Sequence, residues 1–327
     1  MMLALCVEIQ KFQPEARFTI IARRNAGLIG DMAAQYPFIK VVAIHRKFAG
    51  LGAFVWHAFS KPYLVLMPAA FGKSAVFNTK YLFLLLRLRP GTHTFGLLKS
   101  TEDNPYQKSI AYDPGIQHFD NMRRLARLAG LTVAKEGALI DFSFKKLDSF
   151  VPPYPKGAYI VFHPFGSSSS KSFPPRRSKE LLALLADTYP HYPVVITGGK
   201  ENEAEAKEIS AGIAHTTLAL NLPILELAAL MGNSALYIGV DTGPTHVASM
   251  LKVPSVILTH NMGPSWMPRY NPNAIILTND TRCVCDGNKG GECVVYEDGK
   301  PYLRCLYDIT DDQILQATEH FLSHAKA

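Results

Sequence analysis

The sequence predicts an α/β protein built from two Rossmann-like halves, and three observations carry that expectation. First, residues 236–260, LYIGVDTGPTHVASMLKVPSVILTH, read as a buried strand, a turn, a short helix over 244–251 and a second buried strand over 255–259. Short apolar runs on either side of one helix are the pattern of a βαβ unit in a parallel sheet. Second, strand and helix patterns alternate on both sides of a break formed by Pro152, Pro153, Pro155 and Gly157. Third, 327 residues exceed one small core and suit two domains, here 1–150 and 151–327.

In the first half, 3–12 reads as a helix and Gln13-Pro14-Glu15 as a turn, followed by a strand over 18–22. A helical segment around 30–36 leads to a strand over 41–44, and 63–67 is a further strand stopped by Pro68. Residues 78–88 read as a helix. Residues 117–130 form an amphipathic one, with Phe119, Met122, Leu125 and Leu128 on one side and Gly130 as its C-cap. In the second half the alternation runs strand 159–163, helix 175–188, strand 193–197, helix 203–214, helix 224–231, then the unit at 236–260. A terminal amphipathic helix covers 311–325.

Composition excludes several classes. Apolar content of 48% with 19% charged residues describes an ordinary globular chain. No run reaches the eighteen or so apolar residues that span a bilayer; 51–72 comes nearest, and Lys61 and Pro62 split it. Residues 1–7 lack the basic start of a secretion signal, so the cytoplasm is the expected compartment. Residues 1–150 hold 20 basic against 10 acidic side chains, and 151–327 hold 14 against 17, giving +10 and −3. A basic half draws polyanions such as a phosphorylated substrate or anionic membrane, to which the chain could attach peripherally. No nucleic-acid motif accompanies that charge, so nucleic acid is not an expected partner.

Two loops have the chemistry of a phosphate site. After the strand at 236–240 come Asp241, Thr242, Gly243 and Pro244, with Thr242 or Gly243 able to cap the helix and Pro244 fitting its first turn. A helix N-terminus there offers free N–H groups and a positive dipole end, and Asp241 can grip a hydroxyl. After the strand at 159–163, the loop 166–171 brings four serines and Lys171, a set of hydroxyls and an ammonium that suits a diphosphate. Glu201 follows the Gly198-Gly199 turn, where a carboxylate can accept both hydroxyls of a ribose, with Glu203 as an alternative.

These residues also carry a family likeness. DTGPTHVASMLKVPSVIL resembles DTGPxHLAAALGVPVVAL, a signature of the family 9 glycosyltransferases, the heptosyltransferases of lipopolysaccharide core assembly. HPFGSSSSKSFPPRRSKEL is similar to PGASxxxKRWPPERFAEL, and PVVITGGKENE to PVVLLGGPxEE. QKFQPEARFTIIAR and HFDNMRRLARLAGL resemble segments of the family's first half. DTGPTH and KSFPP are the specific parts. The resemblance implies a GT-B fold, two facing Rossmann-like domains with nucleotide on the second and acceptor on the first. It implies an inverting, metal-independent transferase with no cofactor, moving a heptose from a nucleotide sugar, ADP-heptose above others, to a lipopolysaccharide core acceptor. Lys171 falls on the family's phosphate-contacting lysine, Ser167 or Ser168 on its hydroxyl positions, and Asp241, Thr242 and Gly243 on its donor-binding turn. His246 is given a supporting role.

One departure and one cluster stand apart. The family opens with a strand and a Gly-Asp loop, SSxGDVVLTTP, whose aspartate is the expected base. This sequence starts within the following helix, so the first strand and the base are expected to be missing. Gly30-Asp31 imitates that loop but comes after the second strand, and Asp31 is read as a decoy. Cys283, Cys285, Cys293 and Cys305 form a late cluster whose CxC spacing is poorer for zinc than CxxC; a structural knot, reduced or bridged, is as consistent as metal. The rival readings are another GT-B sugar-nucleotide enzyme such as an epimerase, and a catalytically impaired nucleotide-sugar-binding protein.

Overall fold

The computed structural model describes residues 1–22, 26–43, 64–67, 91–98, 104, 106–140, 142, 150–260, 265–268, 270–279 and 293–324. The chain divides into two compact units, 1–142 with 264–266 and 143–263 with 267–327. The 78–88 helix, Cys283 and Cys285 fall outside the described residues.

The first unit opens with α1 (Met2–Phe12), β1 (Phe18–Ala22), α2 (Ala26–Ala33) and β2 (Ile39–Ala43). β3 (Leu64–Met67), β4 (His93–Leu98), β5 (Lys108–Ala111) and α3 (His118–Leu128) complete its described elements. β1 pairs with β2, and β3, β4 and β5 form a second parallel sheet; no ladder joins the two among the described residues. β4 and β5 have no counterpart in the sequence reading, because HTFGLL and KSIA are short and bounded by residues without a helix period. α3 ends as its glycine predicts. Gly130 lies at φ +81°, and the Leu131 N–H reaches back to the Ala126 carbonyl at 3.0 Å.

Polar chemistry, unread in the sequence, holds this unit together. Arg123 on α3 is 1% exposed. Its Nε and Nη2 donate to Oε1 and Oε2 of Glu8 on α1 at 3.0 and 2.6 Å, and its Nη1 donates to Asp120 Oδ1 at 2.9 Å and to the Ala138 carbonyl at 2.7 Å. The carboxylates are used twice: Ala134 N–H donates to Glu8 and Gly137 N–H to Asp120. One guanidinium therefore ties α1, α3 and the 134–138 segment, with the Phe119 ring 4.6 Å beneath its carbon. Leu128, expected on the apolar side of α3, is 39% exposed; the buried stripe ends at Leu125 and Ala126.

The second unit is a six-stranded parallel sheet. Its strands are β6 (Ile160–His163), β7 (Val194–Gly198), β8 (Thr216–Leu220), β9 (Leu236–Val240), β10 (Ser255–Leu258) and β11 (Ala274–Leu277). Around them run α4 (Pro175–Thr188), α5 (Glu203–Ser210), α6 (Ile224–Asn233), α7 (Gly243–Met250) and, after the hairpin β12 (Val294–Glu297)–β13 (Lys300–Leu303), α8 (Arg304–Tyr307) and α9 (Asp311–His324). The central strands β6, β9 and β10 are buried at every position, as a sheet covered on both faces requires, whereas β8 and β11 at the edges are half-buried throughout. The sequence reading missed both edge strands and the hairpin, and it extended the helix after β7 beyond its observed end at Ser210.

Strand order is β11-β10-β9-β6-β7-β8. Successive strands run outward from β6 to β8, then the chain returns to place β9 on β6's other side and runs outward again. The order reverses between β6 and β9, where the crossovers leave in opposite directions and open a crevice at the carboxyl ends. The loops after these two strands are 166–171 and 241–243.

The buried Arg123 group yields a stability expectation. Arg123→Met should cost about 3–5 kcal/mol in denaturant unfolding, because it leaves two carboxylates desolvated and unpaired. Adding Glu8→Gln should recover part of that loss, and a double-mutant cycle reads the coupling.

Candidate functional site

The loop after β6 is folded by its own serines. Ser172 Oγ accepts from the Gly166 N–H at 2.8 Å and donates to the Ser168 carbonyl at 3.1 Å, while Phe173 N–H closes on the Pro164 carbonyl at 2.8 Å. Residues 169–171 make a single 3-10 turn that presents Lys171. Gly166 is needed for closeness: a Cβ there would meet the backbone carbonyl of Lys171. Ser167 and Ser168 are exposed, and the Ser168 hydroxyl pairs with that of Ser170 at 2.9 Å.

The loop after β9 leads directly into α7. Thr242 occupies the N-cap position with extended backbone, yet its hydroxyl turns back to the Val240 carbonyl at 3.2 Å and caps nothing. The expected Thr242 cap is thus present in position but not in bonding, and no N-cap side chain bonds the first-turn N–H groups of α7. Below them Tyr237 of β9 holds the helix from underneath. Its hydroxyl lies 2.9 Å from Thr245 Oγ1, and its ring occupies the space that a side chain at Gly239 would fill.

Asp241 opens the second of these loops, directly after β9. Its side chain is 4% exposed, and Oδ1 is buried without a hydrogen-bond partner. Desolvation pushes its pKa up to about 6, against the pull of the Lys171 charge. His246, one turn into α7, has Nε2 at 3.8 Å from that oxygen and Nδ1 at 2.7 Å from the Tyr270 hydroxyl. His260, just beyond β10, is 4% exposed; burial and the Lys171 charge lower its pKa to about 4 and keep it neutral. Lys171, Asp241, Thr242, Gly243 and His246 therefore gather at the β6/β9 crevice.

The remaining candidates lie around it. Glu201 is exposed in the turn after β7, the next strand, with its carboxylate folded over Gly199. Glu203, the alternative, is engaged by Lys207 at 2.6 Å, which lowers its pKa. Asp31 is exposed on α2 in the other unit. Cys293 and Cys305 are both buried, and no group of three or more metal-binding side chains occurs among the described residues. His260 and Tyr270 escaped the sequence reading. The only local signal was position: one follows a buried strand, and the other precedes the strand at 274–277.

Chemically, the site offers what a leaving diphosphate demands. It has an ammonium, uncapped helix N–H groups, and a buried carboxyl beside an imidazole for hydroxyls.

The model of glycosyltransferase family 9 (heptosyltransferase) matches residues 125–293, just over half of the chain. Lipopolysaccharide heptosyltransferase 1 of Escherichia coli O18:K1:H7 is 24% identical over 137 residues, a stretch that spans 42% of this chain and 40% of that protein. Two solved structures share the fold over nearly their whole length. One is E. coli ADP-heptose lps heptosyltransferase II, with a TM-score of 0.69, 17% identity and coverage of 99% of this chain and 95% of that one. The other is E. coli heptosyltransferase WaaC with ADP, with a TM-score of 0.71, 18% identity and coverage of 97% and 93%. The fold is GT-B.

Asp241 gives a pH expectation. With its folded pKa raised from 3.8 to about 6, the native state holds the proton more tightly, so this group's contribution to stability falls as pH rises between those values. His118, His163 and His260, each lowered to about 4, act in the opposite direction over the same range. The effect must therefore be read as a difference between chains. Asp241→Asn should gain on the native protein by up to about 3 kcal/mol between acidic and neutral pH, at about 1.4 kcal/mol per pKa unit, in paired denaturant titrations.

Proposed function

The chain belongs to glycosyltransferase family 9, the heptosyltransferases, and from that premise we propose that it transfers a heptose from ADP-heptose to a lipopolysaccharide core acceptor. The observation that carries the donor half is the uncapped start of α7 beside Lys171 and the unpartnered Asp241 oxygen at the β6/β9 crevice. In glycosyl transfer the bond from the anomeric carbon to the diphosphate breaks as the acceptor oxygen attacks, and negative charge grows on the leaving oxygens. Lys171 and the α7 N–H groups meet that charge, with Ser167 or Ser168 as added donors. The helix amides are fixed before the reaction by the backbone of α7, so little reorganisation opposes their part in it. Glu201 takes the ribose hydroxyls. Asp241 and His246 take hydroxyls nearer the sugar. Asp31 has no part, and the acceptor's base is left unassigned.

On this reading ADP should raise the melting temperature, as any ligand selective for the folded state does. Lys171→Ala should remove most of that rise, and Gly166→Ala should reduce it by displacing the lysine's backbone. An unmoved melting curve with ADP would refute the donor assignment.

The acceptor half draws on charge. Residues 1–150 carry +10, and no described helix is long and apolar enough to cross a membrane. We place the enzyme in the cytoplasm, working at the inner face of the membrane on an acceptor bearing anionic groups. Co-sedimentation with anionic vesicles should fall steeply as salt rises, while neutral vesicles should retain little protein at any salt.

A further inference from the structure

The hydroxyl of Tyr270 lies 2.7 Å from Nδ1 of His246, and the two rings run nearly parallel, 18° apart with centroids at 6.2 Å. Tyr270 is buried. Burial raises its pKa far above the ordinary phenol value, so the hydroxyl keeps its proton. A buried hydroxyl must direct that hydrogen at an acceptor, and His246 Nδ1 is the one acceptor recorded for it among the described residues. A ring nitrogen that accepts a hydrogen bond carries no proton of its own, so in the neutral imidazole the hydrogen sits on the other nitrogen.

We propose that Tyr270 is a positioning residue of the donor site, fixing His246 as the tautomer protonated on Nε2, so that the imidazole presents an N–H donor beside the Asp241 carboxyl. The geometry gives this tautomer a purpose. Nε2 and Asp241 Oδ1 are 3.8 Å apart, too far for a direct hydrogen bond of ordinary strength, and Oδ1 has no other partner. A ligand hydroxyl placed between them would accept from Nε2–H and donate to Oδ1. In the opposite tautomer both atoms would be acceptors, and one hydroxyl could satisfy only one of them. Tyr270 thus makes the pair selective for a group that both donates and accepts. Its place in donor binding rests on the function proposed above; the tautomer does not.

The test uses the full chain labelled with nitrogen-15, at mildly alkaline pH, with the His246 ring signals assigned by their loss in His246→Gln. The native protein should show one tautomer, with Nδ1 bare and Nε2 protonated. Tyr270→Phe keeps the stacked ring and removes the hydroxyl; it should show both tautomers in exchange and bind ADP-heptose roughly tenfold more weakly, the scale of one lost hydrogen bond to a fixed group. Its affinity for ADP should stay unchanged. A proton on Nδ1 in the native chain, or an unaltered tautomer in Tyr270→Phe, would overturn the proposal. If that variant does not fold, the native spectrum alone decides. Absence of ADP-heptose binding by the native chain would count against the proposed function and leave the tautomer to be judged on its own spectrum.

Discussion

The pairing of β6 with β9 is the constraint on which the second unit's chemistry depends. Parallel strands need long crossovers, and crossovers in the same sheet keep one hand. When the chain leaves β8 and returns to β6's free edge, the helices before and after must cover opposite faces, and the two loops at the reversal are held apart. That separation makes room for a ligand at the ends of β6 and β9, among strands buried at every position. The rigid part of the site is backbone register, His163 opposite Gly239; the adjustable part is the few side chains carried on the two loops.

Charge in this crevice is arranged against the protein's own stability. A carboxyl with one oxygen buried and unpartnered, and a helix start without a cap, are features a chain under selection for stability alone would replace. Lys171 offsets some of the cost, since its field opposes the desolvation of Asp241. The contrast with the first unit is direct. There Arg123, Glu8 and Asp120 are buried with nearly every polar atom answered, and the group has the character of a fastening.

What could be read from the sequence divides along the same line. β9, α4 and the start of α9 fall where periodicity and turn residues put them, because each signal lies within a dozen neighbouring residues. The edge strands TTLAL and AIIL were lost: one mixes polar and apolar residues, the other is four residues long, and only the sheet makes them strands. Lys171, Asp241 and His246 were legible because each sits in a loop or first turn with its own recognisable pattern. His260 and Tyr270 join them only through strand order, since β10 lies next to β9, and no local pattern encodes adjacency. Arg123 was hidden for a related reason. Its partner Glu8 is 115 residues away, and an arginine on an amphipathic helix reads as surface until the other helix is in place.

Gly239 shows how far such dependence reaches. It lies within a buried strand, and the room it leaves is filled by the Tyr237 ring, whose hydroxyl supports Thr245 under the first turn of α7. A methyl group at 239 would be transmitted through a phenol and a threonine to the amides that face the crevice. Variation at this position is therefore limited by a shape one turn of helix away, and a family of active sequences would keep glycine and tyrosine here as a pair or change both together.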